Sequence, residues 1–285
     1  MKLRVISALV IGLVLSLLAV SARAGTIDGF AVLGSSTVTN TGPTTIFGNI
    51  GLSPGSSITG LGSITLTGVV DIANSAAGTG QSDASAAYSA WAPLSSQPGG
   101  SVNLSGDDLG ALGHALAPGV YWFSSSAQLT GALQLNAGGL DNQSWTFVIY
   151  STLTTASASS VEIINTGSVG EYTGNITWIV GSSATLGTTT AFLGTIIADV
   201  SDTLNTAATV GCGGVIALTG AVTLDNNTID AVPADCAVTA GAGGAGGGPI
   251  FAPASPTPEP GTSVLLSFGL LAMVFLTFRK SRAVR

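Results

Sequence analysis

The side chains able to do acid–base or metal chemistry are few and scattered. The closest carboxylates are Asp107-Asp108 and the pair Asp199 and Asp202. Two carboxylates across a glycosidic bond are the machinery of glycoside hydrolysis. β-Helical enzymes that cut polysaccharides usually add Lys, Arg or calcium to such clusters, and here neither pair has a basic residue near it in sequence. His114 is the single histidine, and nothing beside it has the spacing of a triad or a metal site. Serine is abundant, yet no G-x-S-x-G nucleophile elbow occurs. Asp225-Asn226-Asn227 lacks the alternating carboxylates and closing Glu of a calcium loop. These residues read as solvated turn aspartates, a loop or packing histidine, and a chain corner. The sequence therefore points to no enzyme, no metal and no cofactor.

Charge narrows the partners further. Only 7% of the 285 residues are charged, and the seven Lys and Arg are Lys2, Arg4, Arg23, Arg279, Lys280, Arg282 and Arg285. Between Gly25 and Phe278 stand all 14 carboxylates and no Lys or Arg. A nucleic-acid partner needs cations against its phosphates, so nucleic acid is excluded. Arg clamps for phosphate or carboxylate substrates are excluded on the same ground.

What remains is the chemistry of a surface. Stacked strands repeat at about 4.7–4.8 Å, and alternate residues along a strand at about 6.6–6.8 Å. Thr in such an array holds a methyl and a hydroxyl at fixed positions, because β-branching restricts its χ1. Water beside such an uncharged face can be caged by the methyls and anchored by the hydroxyls. The plainer alternative is that Thr is simply a good strand residue on a solvated face.

The elements that would carry this array repeat along the chain. A short apolar run, several small residues and then a Leu in a Thr-rich context occur at Val120–Phe123 with Leu129, Phe147–Tyr150 with Leu153, and Trp178–Val180 with Leu186. Ile196-Ile197 with Leu204 and Val215-Ile216 with Leu224 continue the pattern. Strands at this irregular period, bounded by Gly, Asn and Ser, suggest a mainly β, irregular β-solenoid, with Gly or Asn at corners of positive φ. A β-sandwich is the alternative, but few two-residue hairpin turns appear. One segment departs from β: over 75–92, Ala84, Ala87, Tyr88 and Trp91 form one apolar helical stripe, with Gly78 and Gly80 weakening the start. That stripe must bury against something, which places the helix alongside the strands.

The ends read as addresses. Residues 1–24 have a positive start, an apolar run and an Ala22-Arg23-Ala24 cleavage site, the pattern of a signal peptide. Residues 25–238 are the folding domain, and 239–257 a Gly/Ala/Pro linker. Pro258-Glu259-Pro260, an apolar segment over 264–278 and a basic end resemble the PEP-CTERM sorting signal over 258–285. That resemblance implies export to the cell surface or extracellular matrix of a Gram-negative bacterium. It also implies an exosortase-type sorting machinery, exopolysaccharide as a partner, and only transient membrane contact through the tail. Cys212 and Cys236 are exported with the domain and could pair.

Longer stretches carry a second resemblance. Phe30–Pro43 and Ile50–Gly55 are similar to the opening of the ice-binding-like family of bacteria and fungi. Pro118–Tyr121, Ser124–Gly131, Ser151–Ser157, Gly181–Thr188 and Gly220–Ile229 continue it in order. The resemblance implies a solenoid of triangular section with a long helix packed along one face. It also implies adsorption to an ice crystal surface, with inhibition of ice growth or recrystallisation. Family members carry a loose T-A/G-x-T/N motif on that surface. Thr206-Ala207-Ala208-Thr209 matches it fully and Thr155-Ala156-Ser157 in part, while Thr130-Gly131 and Thr219-Gly220 keep its start. Thr188 and Thr190 are equivalent by position in the repeat. The expected contact set is thus Thr130, Thr154, Thr155, Ser157, Thr188, Thr190, Thr206, Thr209, Thr219, Asn226 and Thr228, with the carboxylates held away from it. A structural or carbohydrate-binding protein of the exopolysaccharide matrix is the competing function.

Overall fold

The computed structural model describes residues 26–91, 99–167 and 175–231. Residues 1–24, the 239–257 linker, the 258–285 tail and Cys236 lie outside the described residues.

Three sheets are visited in fixed rotation. The chain lays β1 (Phe30–Gly34), β2 (Thr37–Thr41) and β3 (Thr44–Phe47) on sheets A, B and C in turn. It repeats the rotation with β4 (Asn49–Leu52), β5 (Ser57–Thr59) and β6 (Ile64–Leu66), then adds β7 (Val70–Ile72) to sheet A. Helix α1 (Ser75–Trp91) follows, and β8 (Val102–Asn103) returns the chain to sheet A. The rotation resumes with β9 (Gly119–Phe123), β10 (Ala127–Leu129) and β11 (Ala132–Asn136), and with β12 (Ser144–Ile149), β13 (Leu153–Thr155) and β14 (Ser160–Ile164). It goes on with β15 (Asn175–Val180), β16 (Ala184–Leu186), β17 (Ala191–Leu193), β18 (Thr195–Ala198), β19 (Asp202–Leu204) and β20 (Thr209–Gly211). The last triplet is β21 (Val215–Ala217), β22 (Val222–Asp225) and β23 (Thr228–Asp230).

The strand orders reveal a splice. Sheet A runs β7-β4-β1-β21-β18-β15-β12-β9-β8, and sheets B and C keep the same sequence of triplets. The first triplet therefore pairs with the last: β1 with β21, β2 with β22 and β3 with β23, all parallel. The chain begins in the middle of the sheets, builds to one edge, and re-enters at the opposite edge. Helix α1 makes that transfer, from β7 at one edge of sheet A to β8 at the other.

Burial follows from this plan. On sheets B and C the side chains alternate, as in β13, β16 and β19, where the middle residue faces out and its neighbours are buried. Sheet A is buried on both sides over much of its length, so its strands read as unbroken apolar runs. Its inner face joins the core enclosed by the three sheets. There Tyr121, Phe147 and Trp178 sit in register and stack, with ring centroids 5.4 and 3.9 Å apart. Trp145 and Trp178 are fully buried and donate their Nε1–H groups to the carbonyls of Leu116 and Leu193. Trp122 differs, lying on the outer side of sheet A against Tyr150.

On the outer face of sheet A, Ala84, Ala87, Tyr88 and Trp91 of α1 pack on Phe30, Leu33, Ile179, Ile197 and Ile216. The helix start is secured by Asn74, whose side chain accepts from the Ala77 N–H at 3.0 Å. The two glycines have different roles. A Cβ at Gly80 would lie 2.7 Å from the Phe30 ring, whereas one at Gly78 meets only the Ser53 hydroxyl at 3.7 Å. Gly80 thus sets how closely the helix approaches sheet A. Gly80→Leu is expected to cost about 1–3 kcal/mol by overpacking. Gly78→Ala should gain up to about 1 kcal/mol in helix propensity. Chemical denaturation of both variants checks the pair; equal effects would refute the close-packing role.

Cys212 is disulfide-bonded, and the sequence holds one other cysteine, Cys236. The expectation that Gly and Asn hold the corners of positive φ is met between sheets B and C at Gly42, Gly60, Gly131 and Asn226 and fails at three others. There Ala158, Thr189 and Ala207 take φ of 60, 57 and 60°, one in each of three successive triplets.

Candidate functional site

The outward row of sheet B is built by register. Thr154, at the centre of β13, pairs with Thr185, Thr185 with Thr203, and Thr203 with Thr223. Across the splice Thr223 pairs with Thr39, and Thr39 with Thr59. Six threonines therefore stand in one row, with Gln128 opposite Thr154 at its end. Their neighbours on either side along each strand are inward, so each Thr projects alone. Parallel pairing repeats the row at about 4.8 Å per strand.

A second row lies two residues earlier, through Ser126, Thr152, Ser183, Ser201 and Ala221 just ahead of their strands and through Thr37 and Ser57 at the start of theirs. Thr37 and Ser57 are in register, and the Thr152 hydroxyl donates to Ser126 at 2.8 Å. Neither row contains a charged residue. Carboxylates stand at the rims of this face: Asp225 is beside Thr41 and accepts from the Thr206 hydroxyl, and Asp108 pairs in register with Gln128 and accepts from the Thr130 hydroxyl. The expectation that carboxylates stay clear of the hydroxyl face thus holds within the two rows and fails at both rims, where Asp225 and Asp108 bond the expected contact residues Thr206 and Thr130.

The other two sheets compare poorly. Sheet C carries a shorter row, Thr209, Thr228, Thr45 and Thr65. Its next row includes Gln134, Glu162 and Phe47, which mix charge, length and an aromatic ring. The outer face of sheet A is covered by α1 over β1, β15, β18 and β21.

The expected contact residues divide among five places. Thr154 alone lies in the six-threonine row. Thr209 and Thr228 project from sheet C. Ser157, Thr188, Thr206 and Asn226 are exposed at the corner between sheets B and C, and Thr130 occupies the same corner in its triplet. Thr219 is exposed before β22 and donates to the Asp199 carbonyl at 2.6 Å. Thr155 and Thr190 are corrected outright: both are buried, at 3% and 0% exposure, and their hydroxyls bond each other at 2.8 Å inside the core. Thr155 occupies the inward position that Leu129 and Leu186 fill in the flanking strands, and satisfies its hydroxyl against Thr190 and the Gly187 N–H. The T-A-x-T motif marks a corner, because Ala207 at its second position has left-handed φ. Thr206 and Thr209 therefore fall on opposite sides of the bend.

Of this row the sequence motifs single out only Thr154, although Thr185, Thr203 and Thr223 each immediately precede a Leu picked out by the repeat. That adjacency is the signal the sequence carries.

The carboxylates do structural work. Burial pushes the Asp108 carboxyl up, but hydrogen bonds from the Thr130 hydroxyl and from the Thr130 and Gly110 N–H groups outweigh it, leaving the pKa below the ordinary value. Asp202 is not the solvated turn residue expected: it is wholly buried in β19, neither oxygen has a hydrogen-bond partner, and burial raises its pKa well above the usual range. His114 is exposed, with Nδ1 2.9 Å from the Leu112 carbonyl. Among the described residues no group of three metal-ligating side chains occurs.

Parallel sheets carrying a charge-free threonine row and a second row mostly of serine and threonine define a β protein whose prominent feature is an ordered surface. Comparison with known proteins gives the lineage. The chain belongs to the ice-binding-like family, whose profile matches residues 32–230. An ice-binding protein of Nostoc sp. (strain HG1) is 41% identical over 261 residues, covering 90% of this chain and 86% of the relative. One from Colwellia sp. is 33% identical over 218 residues, 71% of this chain and 80% of its own. Among solved structures, an ice-binding protein from an Antarctic biological consortium superposes with a TM-score of 0.64 at 38% identity, over 72% of this chain and 88% of that one. The ice-binding protein of Antarctomyces psychrotrophicus gives 0.63 at 33% identity, over 73% and 96%.

Proposed function

We propose that the three sheets wind as an irregular β-solenoid of triangular section. On this reading the protein adsorbs to ice through a flat hydroxyl face on sheet B, without covalent chemistry, and so inhibits ice growth or recrystallisation. The observation that carries the reading is the in-register row Thr154, Thr185, Thr203, Thr223, Thr39 and Thr59. Each Thr offers a methyl and a hydroxyl at a fixed rotamer, and no Lys or Arg nearby draws water into an ionic shell. Many weak contacts satisfied together would hold the molecule on a growth plane, as dispersion sums over an area. The relatives named above, described as ice-binding proteins, support the same function. Ice-affinity partition of residues 25–238 tests it: the protein should enter a slowly growing ice hemisphere, and exclusion of the folded protein would sink the reading.

The export reading is proposed alongside it. Residues 1–24 would be removed as a signal peptide, and the Pro258-Glu259-Pro260 tail would meet an exosortase-type machinery at the surface of a Gram-negative cell. Intact-mass measurement of protein recovered from such a host checks both ends, and retention of Met1–Ala24 would refute cleavage.

A further inference from the structure

Between α1 and the strand ends where sheet A turns into sheet B lies an open groove of about 600 Å³. Its chemistry differs from the hydroxyl rows because it is concave and carries a carboxylate and a phenol. Gln81, Ser85, Tyr88 and Ser89 of the helix line one wall, and Ser53 and Asp199 stand opposite. Ser82, Ser85 and Ser89 recur at helical spacing on this wall, though Ser is a weaker helix former than the Ala around it. The two walls are fixed to each other, since Gln81 Nε2 donates to the Ala217 carbonyl at 3.1 Å. The Thr219 hydroxyl donates to the Asp199 backbone carbonyl at 2.6 Å, which ties together two residues that line the groove. Tyr88 packs one part of its ring on the apolar seam and borders the groove with the rest. Burial raises the Tyr88 phenol, and the nearby Asp199 carboxylate pushes it the same way.

We infer that this groove is a binding site for a neutral polyhydroxylated ligand, a saccharide or polyol. A carboxylate accepts hydrogen bonds from adjacent ligand hydroxyls, and the serines and Gln81 can donate or accept. The phenol offers an apolar face with a polar tip. With no Lys or Arg in the domain, an anionic sugar would face only repulsion from Asp199.

The test titrates the folded 25–238 domain with maltohexaose, cellohexaose, glucose and sorbitol, following Tyr88 and Ser85 by NMR. A glycan-chain site should bind a hexasaccharide at least about tenfold more tightly than glucose or sorbitol, and a small-polyol site should bind them comparably. Either result supports the site. Tyr88→Phe keeps the packed ring and removes the hydroxyl, Asp199→Asn removes the charge, and Ser85→Arg fills the groove from an exposed helix position. Each should weaken binding by about tenfold or more while leaving the melting temperature and ice affinity near the parent's. Absence of any shift at Tyr88 or Ser85 with all four probes up to about 100 mM, or unchanged affinity in all three variants, would overturn the inference. Because ice affinity is read separately, failure of the groove leaves the reading of sheet B standing, and the reverse.

Discussion

Thr203→Tyr combined with Thr223→Tyr is expected to abolish most of the ice activity and leave the fold intact. The two residues are in register at the centre of the six-threonine row, so their rings stand side by side on sheet B. Tyr is a good strand residue at an outward position, and neither site faces the core. The rings would hold a rigid surface away from the neighbouring threonines. A gap of only about 0.5–1 Å already forfeits a quarter to a half of the dispersion attraction of each contact. Losing as little as about 1.4 kcal/mol over the face corresponds to roughly tenfold in affinity. Thermal hysteresis and ice partition should therefore drop by about tenfold or more, with circular dichroism and melting temperature near the parent's. The control is Thr209→Tyr with Thr228→Tyr, the equivalent in-register pair on sheet C. If the sheet C pair loses activity and the sheet B pair keeps it, the face is misassigned.

This contrast shows what the sequence discloses and what it hides. The apolar runs, such as Phe147–Tyr150 and Trp178–Val180, are legible because sheet A is buried on both sides. The helix is legible because Ala84, Ala87, Tyr88 and Trp91 keep a helical period and do form its packed stripe. Sheet B is half legible: the recurring Leu186, Leu204 and Leu224 are its inward residues, in register with one another. Its outward row is hidden because strands of three residues, such as β13 and β16, show a period of 2 only once each. Which Thr joins which is set by inter-strand register, and register is a tertiary fact. Thr155 shows the consequence. Within Leu153-Thr154-Thr155 both threonines look alike, and only pairing with Ala184 and Thr185 sends Thr154 out and Thr155 in. The splice between β1–β3 and β21–β23 is hidden for the same reason, since it joins residues such as Val32 and Val215 from opposite ends of the domain.

Asp202→Val is the substitution expected to raise stability most. Asp202 opens β19 with its side chain inside the core, fully buried and with both carboxylate oxygens unpaired. Its register partners on either side are Ala184 and Val222, so the position belongs to an apolar row. A buried polar group without a partner costs about 1–3 kcal/mol, and Val removes that cost. In a domain of this size the gain corresponds to roughly 2–4 °C in melting temperature per kcal/mol. The sign of the pH dependence is fixed by the direction of the shift. Burial raises the folded-state pKa of Asp202 well above the ordinary value, so the folded state keeps a proton that the unfolded chain releases. Unfolding then sheds a proton, and the Asp202 contribution to stability falls as pH rises from about 4, by at most about 1.4 kcal/mol per pH unit, until the folded-state pKa is passed. Asp108 acts in the opposite sense, because its lowered pKa favours the folded state above its unfolded value and loses that effect as pH falls. Asp202→Val should thus gain least near pH 3, where only the cost of the unpaired neutral carboxyl is removed, and most at neutral pH and above. Asp202→Asn separates the two causes. It removes the titration but leaves buried unpaired polar atoms, so it should flatten the pH profile as Val does while gaining less at pH 7. Urea unfolding of the three proteins between pH 3 and 8 makes the comparison. A parent whose stability rises across that range no less than that of Asp202→Val would show that Asp202 is not a buried, proton-retaining carboxyl.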